Sequence, residues 1–154
     1  MYKDYSKIVD YFKKNGFNNV PYLLRILSYL PPSDRCEILK KLNDVYPYDI
    51  NIYDKLSMAY VKNGEYIKAM NLLEKAFNNN FLDSDYFNQL KWKIDTLKKN
   101  ESSGFGSSIN YNNTLELLQR DINQGFNANW TEKSIYAYKE FTKIITEFCN
   151  EQIK

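Results

Sequence analysis

Cys36 and Cys149, the carboxylate pair Asp83 and Asp85, and the glycine-bearing run "SGFGSS" at 103–108 are the residues whose type and spacing could do chemistry. They would supply, respectively, a nucleophile, an acid–base pair and a phosphate cradle. A cysteine attacks as its thiolate and needs a base or a positive environment to form it at neutral pH. The chain contains no histidine, so the commonest general base, the commonest metal ligand and every Ser–His or Cys–His pair are missing. The two cysteines lie far apart and form no CxxC pair. Cys36 is expected to pack in a helical hairpin, and Cys149 close to the apolar face of the last helix. Asp83 and Asp85 open a helix, where carboxylates complement the exposed N–H groups and the dipole, so capping accounts for them. "SGFGSS" follows a helix rather than a strand, so a flexible loop is the reading and not a cradle. GxxxxGK[ST], GxGxxG and GxSxG are likewise absent from the sequence. The expectation is a chain with no catalytic residues, no metal site and no cofactor.

The totals agree with a folded, non-enzymatic helical protein. The chain has 154 residues, 44% hydrophobic, 16% aromatic and 26% charged, which is one domain's worth of length with a sizeable core. Five glycines and four prolines are too few for a turn-rich, sheet-rich architecture. The net charge of +2 is divided as +2, +2 and −2 over residues 1–50, 51–100 and 101–154. That near balance, without a run of like charges, argues against nucleic acid and against a polybasic membrane tail. The N-terminal "MYKDYSKIVDYFKK" does not read as a signal peptide, and no apolar run approaches the roughly 20 residues that span a bilayer. With no paired cysteine motif, a reduced, cytoplasmic setting without membrane insertion is expected.

Helical periodicity dominates the chain. Helices are expected over about residues 4–14, 20–30 and from an N-cap at Ser33 to Asn43. Further ones are expected over 51–62, 66–78, 84–98, 113–123 and 131–152. "PP" at 31–32 and "YPYD" at 46–49 end helices, and Gly64 suits the left-handed residue that closes one. The stripe of the seventh helix is expected to be Leu115, Leu118 and Ile122. That of the last is expected to be Ile135, Tyr138, Phe141, Ile145 and Phe148. "NESSGFGSSINYNN" at 100–113 is the one low-complexity segment and is expected to be a flexible Ser/Gly/Asn loop.

Residues 50–83 resemble a tetratricopeptide repeat, a 34-residue helix–turn–helix unit. Counting residue 50 as the first position, Tyr53, Leu56, Ser57 and Tyr60 take the fourth, seventh, eighth and eleventh. Gly64 falls in the turn, and Ala69, Leu73 and Ala76 take the twentieth, twenty-fourth and twenty-seventh; Phe81 replaces the usual late proline. Small residues at 57, 69 and 76 would let paired helices approach closely. Stepping by one period gives a degenerate match at 16–49 and a partial one at 84–123. The resemblance implies an all-α fold: a short right-handed solenoid of TPR-like hairpins with a long C-terminal capping helix. One helical-repeat domain then covers 1–154, with hairpins to residue 99, the loop at 100–113 and C-terminal helices over 114–154.

In that family ligands lie in the concave groove, on the first helix of each hairpin. Carried over, the groove offers Asn51, Asp54, Met58, Val61 and Lys62 from one helix, and Asp85, Asn88, Trp92, Asp95 and Thr96 from the next. The partner-binding set is Asn51, Asp54, Met58, Lys62, Asn88, Trp92 and Thr96. Of the corresponding positions of the first unit, Phe17, Val20, Leu24, Leu27 and Ser28, all but the serine are apolar, and the N-terminal helix is expected to cover them. The resemblance therefore implies a protein–protein interaction module that takes a peptide or protein surface, as an adaptor, a scaffold or the helical domain of a larger assembly. Homo-oligomerisation stays open. Two alternatives stand beside it. Lys91, Lys93, Lys98 and Lys99 near Tyr86 and Trp92 suggest single-stranded nucleic acid, which the weak net charge opposes. A small inhibitor of one enzyme, as immunity or anti-defence proteins are, is the other.

Overall fold

A computed structural model describes residues 3–15, 20–101, 110–124 and 130–153. Among them are eight α-helices and no strand: α1 (Ser6–Asn15), α2 (Val20–Leu27), α3 (Pro32–Val45), α4 (Ile50–Lys62), α5 (Tyr66–Asn78), α6 (Ser84–Glu101), α7 (Tyr111–Gln124) and α8 (Glu132–Ile153). The fold class is all-α. The helices fall into two compact units, Met1–Pro31 with Ile109–Lys154, and Pro32–Ser108. The boundary lies at Pro31, inside the 16–49 segment matched to a degenerate repeat.

In the unit Pro32–Ser108, α3 to α6 run up and down through short turns. Packed pairs are α3 with α4, α4 with α5, α4 with α6 and α5 with α6. Each turn is written in the sequence. Asp49 caps α4 by accepting from the Asn51 backbone N–H at 2.9 Å, and Asp83 caps α6 by accepting from Tyr86 N–H at 2.9 Å. Between α4 and α5, Gly64 has φ +78; its N–H donates to Val61 O at 3.0 Å, and Glu65 N–H to Tyr60 O at 2.7 Å. That pair of bonds is a Schellman motif. The same device ends α5 without a glycine: Asn80 has φ 65, and Phe81 N–H donates to Ala76 O at 2.8 Å. A Cβ on Gly64 would meet nothing within 4 Å, so only backbone strain opposes it. Gly64→Ala is expected to cost about 1 kcal/mol in urea unfolding and Gly64→Asn less. A neutral alanine would remove the left-handed residue as the reason for the turn.

The core of this unit joins Tyr53, Val61, Ala69, Leu73, Ala76, Leu82, Leu90 and Ile94. Ser57 and Ala69 are fully buried and Ala76 nearly so, which is what close helix approach requires. Tyr53 is buried as well and donates its hydroxyl to Pro47 O at 2.7 Å, so the phenol has a partner inside.

In the other unit α8 packs against α7, α2 and α1. Phe141 is fully buried and meets Phe12 edge-on at 5.2 Å and Tyr11 stacked at 5.5 Å; Tyr5 meets Phe148 at 5.4 Å. Leu24 and Leu27 of α2 are buried. Cover by the N-terminal helix is the expectation for them; the helix that carries them, α2, packs against α8. The side chains of Phe17 and Val20 lie outside the described residues.

Several boundaries differ from the expected ones, and α2 ends at Leu27 rather than about residue 30. α3 begins at Pro32 rather than after a Ser33 cap, because proline has no N–H to lose at a helix's first position and its φ is already helical. α6 runs to Glu101 and α7 begins at Tyr111, so both ends of the expected 100–113 loop are helical or helix-capping. The remainder, 102–109, lies outside the described residues, as does the "SGFGSS" run. Asn110 accepts from Asn113 N–H at 2.9 Å, which starts α7 early. The stripe of α7 is also rotated: Thr114, Leu118 and Asp121 are buried, whereas Leu115 is half-buried and Ile122 is exposed.

Candidate functional site

α4 and α6 lie in contact, and the seven candidate groove residues divide between them. Asn51 and Lys62 are exposed, near opposite ends of α4, about 16 Å apart at 1.5 Å per residue. Asp54 and Met58 are half-buried between them, one turn apart on the same face. On α6, Asn88 is exposed, Thr96 half-buried, and Trp92 68% exposed. An indole left so open on a helix packed along one side is a candidate anchor.

An open depression of about 420 Å³ is lined by Asn88, Gln89, Trp92 and Lys93. It brings Asn88 and Trp92 together and adds two residues that the sequence did not single out for the groove. Lys93 Nζ donates to Asp54 Oδ2 at 3.2 Å, tying α6 to α4 and joining Asp54 to the same patch. The other carboxylate oxygen, Asp54 Oδ1, is buried and has no hydrogen-bond partner. Such an acceptor costs free energy until a donor meets it. Met58 and Thr96 lie outside the lining of the depression, and Asn51 and Lys62 are not brought to it.

The residues named for nucleic acid are partly engaged within the chain. Lys98 Nζ sits 4.1 Å from the centre of the Tyr66 ring, a cation–π distance. Tyr66 donates its hydroxyl to Asp95. That bond to a carboxylate, and then burial, raises the phenol above its ordinary value. With Lys93 held by Asp54, two of the four lysines bind α4 and α5 to α6.

Cys36, Cys149 and Asp83 do not line the depression. Cys36 is buried in α3, and burial pushes its thiol up to about 12, so it is protonated at neutral pH and is no nucleophile. Cys149 is buried in α8. Asp83 is a helix cap. Among the described residues, no group of three or more Asp, Glu, Cys or His side chains is arranged to hold a metal ion, and no helix is long and apolar enough to cross a membrane.

One polar cluster has no signal in the sequence. Asp121 of α7 is buried and accepts from Tyr29 Oη and Tyr138 Oη, both at 2.6 Å, with Arg25 Nε at 3.6 Å. Thr114 donates to Tyr29 O at 2.7 Å. Burial first, then the bond to Asp121, raises the Tyr138 phenol strongly. Every group here already holds its partner, so the cluster fastens α7 to α2 and α8 and offers nothing to a ligand. Against known proteins, neither family models, curated proteins nor solved structures give a match for this chain.

Proposed function

We propose that this chain is a non-enzymatic protein–protein interaction module. It is a short TPR-like helical solenoid that takes a peptide or protein surface along the α4–α6 face. The observation that carries the reading is Trp92, exposed beside an open depression on a helix fixed to its neighbour by the Lys93–Asp54 pair. The pair and the short caps hold the two helices in place before any partner arrives, which keeps the ordering cost of binding low. Asn88 and Gln89 offer amides to a peptide backbone. A cytoplasmic setting goes with this reading, given the sequence's lack of paired cysteine motifs. Single-stranded nucleic acid is less well supported, since Lys93 and Lys98 are spoken for within the chain.

The test is selection of binders from a random peptide library, followed by Met58→Glu with Trp92→Ala. Affinity for the selected peptides should fall at least about tenfold, the loss typical of removing an anchor, while the melting temperature changes little. Retained affinity together with a large loss of stability would make these two residues core and end the proposal. A salt-dependent shift with a random single-stranded oligonucleotide, abolished by the same variant, would replace it with the nucleic-acid reading.

A further inference from the structure

The unit Pro32–Ser108 has a second surface, at the edge where its turns gather. Because α3, α4, α5 and α6 alternate in direction, the turns at 46–49 and 79–83 lie on the same edge. The Tyr48 ring meets the Phe81 ring edge-on at 4.9 Å across them, and Phe77 stacks on Phe87 at 4.8 Å. This edge leaves large apolar groups in solvent: Tyr48 is 73% exposed, Tyr86 41%, Val45 40% and Phe77 39%. Single exposed hydrophobics are ordinary, but four on one edge form a patch.

The two turns themselves carry charge of one sign. Asp44, Asp49, Asp83 and Asp85 belong to the two turns and the helix ends beside them. Neither residues 42–54 nor 76–90 contain a lysine or arginine. Asp49 and Asp83 each commit one oxygen, Oδ1, to a helix cap. Next to the patch, a cleft of about 310 Å³ runs between α3, α4 and α5, with Leu56, Leu72 and Ala76 among its lining and Phe81 at the turn. Lys40 and Lys75 also line it, Lys75 in the last turn of α5. A cation is thereby drawn to the rim, and the cleft is left to an apolar stem.

We propose that this edge docks a basic segment of a partner protein. Arginine or lysine heads lie over the Tyr48 and Tyr86 rings and meet the four aspartates, and an aliphatic side chain of the segment enters the cleft. The aromatic faces and the carboxylates both attract cations, so the two features select the same partner. The chain as a whole carries +2, so overall charge does not draw a basic peptide, and attraction has to come from this edge.

The test uses the full chain and a fluorescein-labelled nonapeptide of alternating arginine and leucine, with its glutamate–leucine counterpart, by anisotropy at low salt. The arginine peptide should bind saturably and the glutamate peptide should not. The variant carrying Asp44→Asn, Asp49→Asn, Asp83→Asn and Asp85→Asn should bind at least about tenfold more weakly. Asparagine caps helices as well as aspartate does, so this variant keeps its fold. Should it still unfold, Tyr48→Ser with Tyr86→Ser carries the test, with an expected loss of about fivefold. Met58→Glu with Trp92→Ala should leave this binding within about twofold, which separates this edge from the α4–α6 face. No saturable binding, equal binding of the two peptides, or affinity unchanged by both the aspartate and tyrosine variants would overturn the proposal. So would a loss caused by the Met58 and Trp92 changes alone.

Discussion

Asp121→Ala is expected to cost about 3–5 kcal/mol, the range for breaking a buried charged hydrogen-bond cluster. The carboxylate is buried and accepts two phenolic hydrogen bonds at 2.6 Å. Its removal takes this acceptor from Tyr138 Oη, inside the core, and from Tyr29 Oη, partly inside. Each orphaned buried hydroxyl costs about 1–3 kcal/mol. The Arg25 contact adds little, since that side chain is 56% exposed and surface ion pairs are screened. Asp121→Asn should be milder, because its amide oxygen has two lone pairs and can still accept from both phenols. The measurement is the urea unfolding midpoint, with hydrogen exchange locating the loss to α7 and α8. A change below about 1 kcal/mol for the alanine variant would mean that the phenols find other acceptors and the cluster is not what fastens α7.

Asp121 also marks where sequence reading stops. Leu115, Leu118 and Ile122 make an apolar stripe of good helical spacing, and the hydrophobic effect alone would turn it inward. The structure turns α7 by one residue, so that Thr114, Leu118 and Asp121 face inward and Ile122 faces out. Tyr29, in the turn after α2, and Tyr138 of α8, 92 and 17 residues away in sequence, stabilise a carboxylate where periodicity asks for an aliphatic side chain. No pattern within α7 carries that information. Asp54 with Lys93, 39 residues apart, is the same case in the candidate site. Each residue alone reads as solvated charge, and only the α4–α6 packing makes them a pair. Helix starts and stops are legible for the opposite reason. Asp49, Gly64, Asp83 and Thr131 act on backbone groups within three residues of themselves, and Thr131 accepts from Ser134 N–H at 3.1 Å. For Trp92 the spacing is evenly balanced: it falls off the Phe87, Leu90, Ile94 stripe, which fits exposure and fits packing under the C-terminal helix equally, and the structure leaves it 68% exposed. What the depression holds was not legible, because exposure alone names no ligand.

Ala69→Leu is expected to cost about 1–3 kcal/mol, toward the upper end of what overpacking causes. Ala69 lies on α5 with no exposed surface, in one core cluster with Tyr53, Val61, Leu73 and Ala76. Leucine brings three more carbons into a helix–helix contact whose neighbours are already at native density, so a rotamer or a helix has to move. Helix propensity gives no escape, since alanine and leucine are close in that respect. Ile67→Leu, on the same helix at 67% exposure, is the control and should lie within about 0.5 kcal/mol of the parent. Trimming the next turn tests the cause. Leu73→Ala alone should cost about 2–5 kcal/mol by opening a cavity, yet Ala69→Leu with Leu73→Ala should cost less than the two added, since the new leucine fills part of the space. Strict additivity would show that the two side chains do not share a void. A neutral Ala69→Leu would be more serious. It would mean that α4 and α5 separate at no cost, and that the face carrying Asp54, Met58 and Trp92 is not held by close helix packing at all.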